Sequence, residues 1–280
     1  MPDILSFSST QKTNLLLIGD SGAGKTGALA SLVQAGYNLR VIDCDNGIET
    51  LAGIMMDPKS PYSRPRPGQI IYETVTDQMK NQNGKLVPKQ AKAWQRIAGL
   101  LEKWKTDEHD LGSITTWGPN DVLVIDSLST AGNAAMNFVL AMNARLGQQP
   151  FQSDWYQGQQ LLEQLLLTLY DEAVKCNVIV CCHITYIGED GKPERGYPAS
   201  LGKAFSPRIG RYFNHMLMAR TMGTGSSQRR VIVTQSTQLV ELKNTIPFRV
   251  KPEYPISTGL AEYFAAIREN TSSPTVKGAS

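Results

Sequence analysis

The segment from Gly19 to Thr26 combines glycines, a lysine and a threonine at a spacing that suits the binding of phosphate. It reads Gly-Asp-Ser-Gly-Ala-Gly-Lys-Thr and matches the phosphate-loop pattern G-x-x-x-x-G-K-[ST]. Glycines allow the tight turn that brings bare backbone N–H groups onto phosphate oxygens, and the lysine reaches the outer phosphates. The threonine hydroxyl suits a Mg²⁺ ion that bridges these phosphates. The loop therefore predicts binding of a nucleoside triphosphate with Mg²⁺.

The context of the loop supports this interpretation. An apolar run, Leu15 to Ile18, precedes it, and a helix-like stretch, Thr26 to Gln34, follows it. A strand before and a helix after the glycines are what distinguish a phosphate loop from a chance glycine-rich turn. The residues expected to contact the nucleotide are Gly19, Asp20, Ser21, Gly22, Ala23, Gly24, Lys25, Thr26 and Gly27.

A second acidic element is expected to share the Mg²⁺ ion. Val122 to Ile125 form an apolar run that ends in Asp126, as in a buried strand that presents a carboxylate at its carboxyl end. Asp126 is therefore the candidate Walker B residue and, with Thr26, the candidate metal ligand. The alternative is an aspartate that only caps the next helix. Because Ser127 rather than glutamate follows, the carboxylate that activates water must come from elsewhere.

Asp45 is the candidate for that carboxylate. It follows the short apolar strand Leu39 to Asp43, where a carboxylate can face the terminal phosphate and orient a water molecule. Asp43 and Glu49 are rival candidates, and an Asp-Asn-Gly turn without catalytic function is the alternative.

His183 closes the apolar run Val178 to Cys182 and is a candidate sensor of the terminal phosphate. The alternative is a histidine that only satisfies backbone groups.

The segment after His183 interleaves basic and aromatic residues, which suits phosphates and bases of single-stranded DNA. The alternative is a solvated surface loop. The candidate DNA contacts are Lys192, Arg195, Tyr197, Lys203, Phe205 and Arg208, with Arg211 beside them.

Lys243 follows the last strong strand and is the candidate contact to a nucleotide bound by a neighbouring subunit. Most exposed lysines have no such role, and that alternative stays open.

Composition excludes several classes of protein. With 280 residues, 41% of them hydrophobic, the chain is long enough for one large core. No apolar run spans a bilayer, and no export signal precedes the first strand, so we expect a cytoplasmic protein without a membrane partner. Four cysteines without C-x-x-C pairing argue against zinc and structural disulfides. A net charge of +3 neither supports nor excludes DNA binding.

The expected elements alternate between strands and helices, which predicts an α/β fold with a mostly parallel central sheet, helices on both faces and a late antiparallel edge. In such sheets ligands lie beyond the carboxyl ends of the strands. Helices are expected over 26–34, 89–105, 130–146 and 159–176, and a long loop over 187–210. Strands are expected over 15–18, 39–43, 69–75, 122–126, 177–186, 212–221, 229–236 and 246–250.

In this order, the motifs resemble the RecA-type recombinase core, and more narrowly the small phage-encoded RecA-like ATPases that act in single-strand annealing. The resemblance covers about residues 13–265 and rests on the phosphate loop, Ile42-Asp-Cys-Asp-Asn-Gly, Val-Leu-Val-Ile-Asp-Ser, and His183 followed by a glycine-rich loop. It implies a catalytic carboxylate at Asp45, coupling through His183 to a DNA-contacting loop, and a contact from Lys243 to ATP of the adjacent subunit. Asp45 stands where recombinases usually have glutamate, and Lys243 lacks a second basic partner.

The resemblance implies an ATP- and Mg²⁺-binding, DNA-stimulated ATPase that forms filaments or rings on single-stranded DNA, beside a single-strand-binding protein. The shorter reach of Asp45 predicts slow hydrolysis. Residues 14–268 would be the ATPase core. Residues 1–13 would be a tail that serves in oligomerisation, and residues 269–280 a disordered tail. Two alternatives remain open: a nucleotide kinase with an arginine-rich lid, and a nucleotide switch that loads a helicase.

Overall fold

The computed structural model describes residues 12–82, 84–188 and 194–268. Its centre is an eight-stranded sheet in the order β14-β13-β12-β1-β9-β8-β2-β3. These strands are β1 (Asn14–Ile18), β2 (Asn38–Asp43), β3 (Ile70–Thr74), β8 (Asp121–Asp126), β9 (Asn177–Cys182), β12 (His215–Met222), β13 (Arg229–Val233) and β14 (Glu253–Pro255). Within the described residues, three two-stranded antiparallel sheets lie outside this central sheet: β4 (Met79–Gln82) with β5 (Lys85–Pro88), β6 (Trp104–Lys105) with β7 (Asp110–Gly112), and β10 (Ile184–Ile187) with β11 (Arg195–Pro198).

The strands from β12 to β3 run parallel, and β13 and β14 add an antiparallel edge. This confirms the predicted RecA-like P-loop fold. The helices are α1 (Lys25–Ala28), α2 (Ala30–Gln34), α3 (Ile48–Met56), α4 (Ala93–Glu102), α5 (Leu128–Met142), α6 (Gln152–Tyr170) and α7 (Gly259–Arg268). Leu29, between α1 and α2, keeps helical backbone angles, so residues 25–34 form one slightly irregular helix.

Alternating side chains of the buried strands form two cores, one on each face of the sheet. Leu16 and Ile18 of β1 pack with α4, α5 and α6, whereas Leu15 and Leu17 pack with α2, α3 and α7. Because β1 is buried along its whole length, it reads as a continuous apolar run rather than an alternating one. Trp94 of α4 and Trp104 of β6 are buried in the core.

Several predicted boundaries are wrong. The helix expected from residue 159 begins earlier, at Gln152, where the Asp154 carboxylate accepts the N–H of Phe151 and the Asp154 N–H donates to the Phe151 carbonyl. The strand predicted over 177–186 is divided at His183 into β9 and β10, which belong to different sheets. The predicted edge strand 246–250 does not form, and β14 takes its place.

The loop predicted over 187–210 is largely ordered where the structure describes it. It contains β11 and the start of a 3-10 helix, Ser206–Tyr212. Lys192 lies outside the described residues, as do most of the predicted N-terminal tail and the whole predicted C-terminal tail.

The four cysteines are buried and unpaired, and burial raises the pKa of each thiol. They therefore act as small apolar side chains rather than as nucleophiles. Among the described helices, none has the length and apolar character that a bilayer span requires.

Candidate functional site

Strand register brings the predicted chemical residues to one edge of the sheet. Asp43 pairs with Asp126 across β2 and β8, and Ile18 pairs with Cys182 across β1 and β9. The residues that follow these strands therefore meet at the carboxyl ends, where parallel α/β sheets bind ligands. They line a cavity of about 800 Å³, a volume typical of small-molecule sites.

The phosphate loop forms one wall of this cavity. Gly24 caps α1 in the left-handed region, with φ 97°, which a residue with a side chain rarely adopts. A Cβ atom there would also lie 3.1 Å from Ile256 Cγ1. The glycine thus allows the sharp entry into the helix that a nucleotide phosphate requires.

Lys25 lies inside the loop and is only 7% exposed. Its Nζ donates to the carbonyl oxygens of Gly19 and Asp20, at 2.9 Å each. An ammonium group has three N–H donors, so one donor is left to meet a phosphate oxygen. The two loop carbonyls therefore fix the position of the amine.

Thr26 and Asp126 meet as a metal-binding pair would. The Thr26 hydroxyl donates to Asp126 Oδ2 at 2.5 Å, although the two residues are 100 positions apart in the chain. A Cβ atom on Gly47 would lie 3.0 Å from each of these oxygens, so only glycine leaves the pair its space. Hydroxyl and carboxylate oxygens are ligands that Mg²⁺ accepts.

The charge around Asp126 also fits a cation. Burial raises the pKa of this carboxyl, and the negative charges of Asp45 and Asp43 act in the same direction. The hydrogen bond from Thr26 and the charge of Lys25 oppose the rise only in part. A divalent cation between Thr26 and Asp126 would relieve this excess of negative charge.

The three candidate carboxylates at and after the end of β2, Asp43, Asp45 and Glu49, lie in different surroundings. Asp43 is 0% exposed, and its carboxylate accepts the N–H groups of Gly47 at 2.8 Å and Ile48 at 3.4 Å. Asp43 therefore builds the turn. Asp45 lines the cavity, whereas Glu49 is an exposed residue of the first turn of α3 that does not.

His183 lies opposite Asp45, with Nε2 3.3 Å from Asp45 Oδ2. Its backbone N–H donates to Ser129 Oγ, and its carbonyl accepts the N–H of Ala199, just after β11. Ser129 Oγ donates in turn to the Ala199 carbonyl. His183, which lines the cavity, is thus connected by hydrogen bonds to Ser129 of α5 and to Ala199, the residue after β11.

The predicted DNA contacts are not assembled as expected. Phe205 is 1% exposed, because it is part of the core, so it offers no stacking surface. Arg195 pairs with Glu241, and Arg208 pairs with Glu163. Arg211 also pairs with Glu163, Tyr197 is half-buried in β11, and Lys203 is exposed.

Lys243 lies away from the cavity. Its Nζ donates to the Phe213 carbonyl of its own chain at 2.8 Å, and its backbone pairs with Met216. A contact to a neighbouring subunit's nucleotide would require this side chain to leave Phe213.

Arg230 is a cavity residue that the sequence interpretation missed. It is exposed on β13, and its Cδ lies 3.3 Å from the position that a Cβ on Gly24 would occupy. Among the described residues, Lys25 and Arg230 are the cavity's lysine and arginine. The sequence contained a signal for this position. Successive side chains of a strand point to opposite faces of the sheet, so Arg229 and Arg230 must point to different faces.

Comparisons with solved structures give three similar folds. A KaiC-like protein from Pyrococcus horikoshii OT3 is 12% identical, with 88% of this chain and 85% of that chain covered and a TM-score of 0.40. The flagellar accessory protein FlaH from Methanocaldococcus jannaschii is 12% identical, with 88% and 87% covered and a TM-score of 0.39. An ATPase from the type III secretion system of pathogenic bacteria is 13% identical, with 74% and 52% covered and a TM-score of 0.39.

No curated protein sequence matches the chain significantly. A model of the AAA domain family matches residues 11–246, which is most of the chain, and the protein therefore belongs to this family of P-loop nucleoside triphosphatases.

Proposed function

We propose that the protein binds and slowly hydrolyses ATP, assembles as a filament or ring on single-stranded DNA, and promotes annealing or strand exchange in homologous recombination. The observation that carries the nucleotide part is the 2.5 Å hydrogen bond from Thr26 to Asp126, beside the buried Lys25. The order of the motifs, with its resemblance to recombinases, supports the DNA part. Residues 14–268 are proposed to act as one ATPase core.

The roles of the residues follow from their positions. Backbone N–H groups of residues 19–27 and the Lys25 amine bind the phosphates, while Thr26 and Asp126 hold Mg²⁺. When held by Thr26 and Asp126, Mg²⁺ would supply neutralisation of the charge on the phosphates. Asp45 accepts a hydrogen bond from the attacking water and aligns it with the terminal phosphate.

His183 is proposed to report the state of the nucleotide. Its ring contacts Asp45, and its backbone contacts Ala199, so a shift of the ring on hydrolysis is transmitted to the segment of β10 and β11. Lys243 is proposed to contact ATP of the next subunit, and the N-terminal tail to serve in subunit assembly. A single-strand-binding protein is the expected partner.

The arginines of residues 195–211 do not support the kinase alternative. Arg195, Arg208 and Arg211 form ion pairs with glutamates and do not line the cavity, so they do not form a lid over an acceptor phosphate.

The test is to incubate the purified protein with labelled ATP, with and without single-stranded DNA and with nucleoside monophosphates, and to separate the products by thin-layer chromatography. Free phosphate stimulated by single-stranded DNA supports the proposal. Phosphate transferred to a monophosphate would instead identify a kinase. Tight ATP binding without turnover or a DNA effect would identify a switch. Electron microscopy with a non-hydrolysable ATP analogue and DNA tests the filament or ring.

A further inference from the structure

The segment that follows β3 carries a dense positive charge that the nucleotide site does not use. From Gln78 to Gln95 the chain contains four lysines and no acidic residue. We define residues 79–82 and 84–92, which comprise β4, Gly84, β5 and the four residues after β5, as the lysine hairpin. Its lysines are Lys80, Lys85, Lys89 and Lys92, all of which are exposed.

These lysines have no carboxylate partner among the described residues, since none of the ion pairs found there includes them. The nearby acidic groups are committed elsewhere. Asp77 accepts the N–H groups of Lys92 and Ala93, and Glu73 pairs with Arg96. The positive charge of the hairpin is therefore not compensated by carboxylates among the described residues, whereas Arg195, Arg208 and Arg211 form ion pairs with glutamates.

The register of the hairpin separates its two faces. Lys80 pairs with Val87 and Gln82 with Lys85, so the side chains of Lys80 and Lys85 share one face as diagonal neighbours. Met79 and Leu86 share the other face and are 53% and 72% exposed. Cations on one face and apolar side chains on the other suit the phosphates and bases of one unpaired strand.

The base of the hairpin is anchored. Lys89 N–H donates to the Gln78 carbonyl, Asp77 accepts from Asn137 of α5, and a Cβ on Gly147 would lie 3.2 Å from Val87 Cβ. The lysine side chains therefore extend from a hairpin whose base is held against α5.

The hairpin also begins beside the nucleotide cavity. Thr76 lines that cavity, and the preceding residue, Val75, donates its N–H to the Asp43 carbonyl. Only two residues, Asp77 and Gln78, separate Thr76 from the first residue of β4. A polymer bound by the hairpin would therefore lie at the same sheet edge as the nucleotide.

We propose that the lysine hairpin is the principal contact of this protein with single-stranded DNA, with its lysines on phosphates and Met79 and Leu86 against bases. This inference rests on the proposed function and moves the DNA contact from residues 192–208 to the lysine hairpin.

The test compares Lys80→Gln/Lys85→Gln with Lys59→Gln/Lys175→Gln, which removes the same charge at exposed positions outside the hairpin. Binding of a fluorescein-labelled oligodeoxythymidylate is followed by fluorescence anisotropy with a non-hydrolysable ATP analogue. Each phosphate contact to a single strand steepens the fall of the logarithm of the binding constant with the logarithm of the salt concentration by about 0.7, so two contacts contribute about 1.4 to this slope. We expect the hairpin variant to bind at least about tenfold more weakly at low salt and to lose this slope, whereas the control variant behaves like wild type.

The outcomes separate the two proposals. If wild type binds and the hairpin variant has the same affinity and salt slope, the hairpin assignment is wrong and the proposed function stands. If wild type does not bind the oligonucleotide, both fail. If Met79→Ser/Leu86→Ser abolishes self-association in sedimentation velocity but leaves DNA affinity unchanged, the apolar face is an interface between copies, and the proposed base contact is overturned.

Discussion

Asp43 and Asp45 are only two residues apart, yet their carboxylates have different contacts. Asp43 bonds to the backbone of the turn, and Asp45 faces the cavity and His183. Replacing each by alanine should therefore separate a loss of stability from a loss of catalysis.

For Asp43→Ala the loss is structural. Removing the carboxylate leaves the N–H groups of Gly47 and Ile48 without their acceptor. Hydrogen bonds to a charged group contribute about 1.5 kcal/mol or more each, so the free energy of unfolding should fall by about 3 kcal/mol. A domain of about this size loses about 2–4 °C in Tm per kcal/mol, which gives a decrease of about 6–12 °C. Turnover per folded molecule should change little.

For Asp45→Ala the loss is catalytic. Its pair with His183 is partly exposed, so the effect on unfolding should be below about 1 kcal/mol. Without the carboxylate that aligns water, kcat for ATP hydrolysis should fall by about 10²- to 10⁴-fold while ATP affinity stays unchanged. Differential scanning fluorimetry, a phosphate-release assay at saturating ATP and a fluorescent nucleotide titration measure the three quantities.

Two results would refute this division of roles. One is an Asp45→Ala variant that retains its kcat. The other is an Asp43→Ala variant that loses turnover with an unchanged Tm, which would make Asp43 the catalytic carboxylate.

Three further predictions concern single side chains. Lys25→Ala should weaken ATP binding by about 10- to 100-fold, the value of a charge-assisted hydrogen bond, with the fold unchanged by circular dichroism; unchanged ATP affinity in a titration would reject the site. Arg230→Gln should weaken ATP binding by about tenfold, whereas Arg229→Gln, whose guanidinium pairs with Glu253, should not; equal titration curves for both variants would contradict a role for Arg230. Burial lowers the pKa of His215 to about 4, while the unfolded chain takes up this proton near pH 6.5. This contribution to stability is therefore intact above pH 6.5 and is lost as pH falls toward 4, by about 3 kcal/mol. His215→Gln should flatten that part of the urea-unfolding profile, and an identical acid dependence in wild type and variant would show that His215 does not cause it.

Most of the nucleotide site could be predicted from local sequence. The phosphate loop has a fixed spacing because the backbone geometry alone shapes it. Asp126 was recognisable because it follows the apolar run Val122 to Ile125, as a carboxylate does at the end of a buried strand. Helix boundaries were harder to predict. The start of α6 depends on the cap between Phe151 and Asp154, and Asp154 also pairs with Arg145 from outside that helix.

The candidate DNA contacts were the weakest part of the prediction, because burial and ion pairing are not local properties. Phe205 and Lys203 are two positions apart, yet one is in the core and the other is exposed. The hairpin of β4 and β5 was not among the expected strands, because short exposed strands carry no apolar pattern. Cross-strand pairing decides that Lys80 and Lys85 share a face.

Sequence alone predicted nucleotide as the ligand class and determined the fold class, because a phosphate loop and buried apolar runs encode backbone geometry over short stretches. Tertiary structure alone decided which aspartate builds the turn and which faces the cavity, and it brought Arg230 to the phosphate loop. These are contacts between strands that are distant in the chain, and their distances depend on sheet order and register, which no short stretch of sequence specifies.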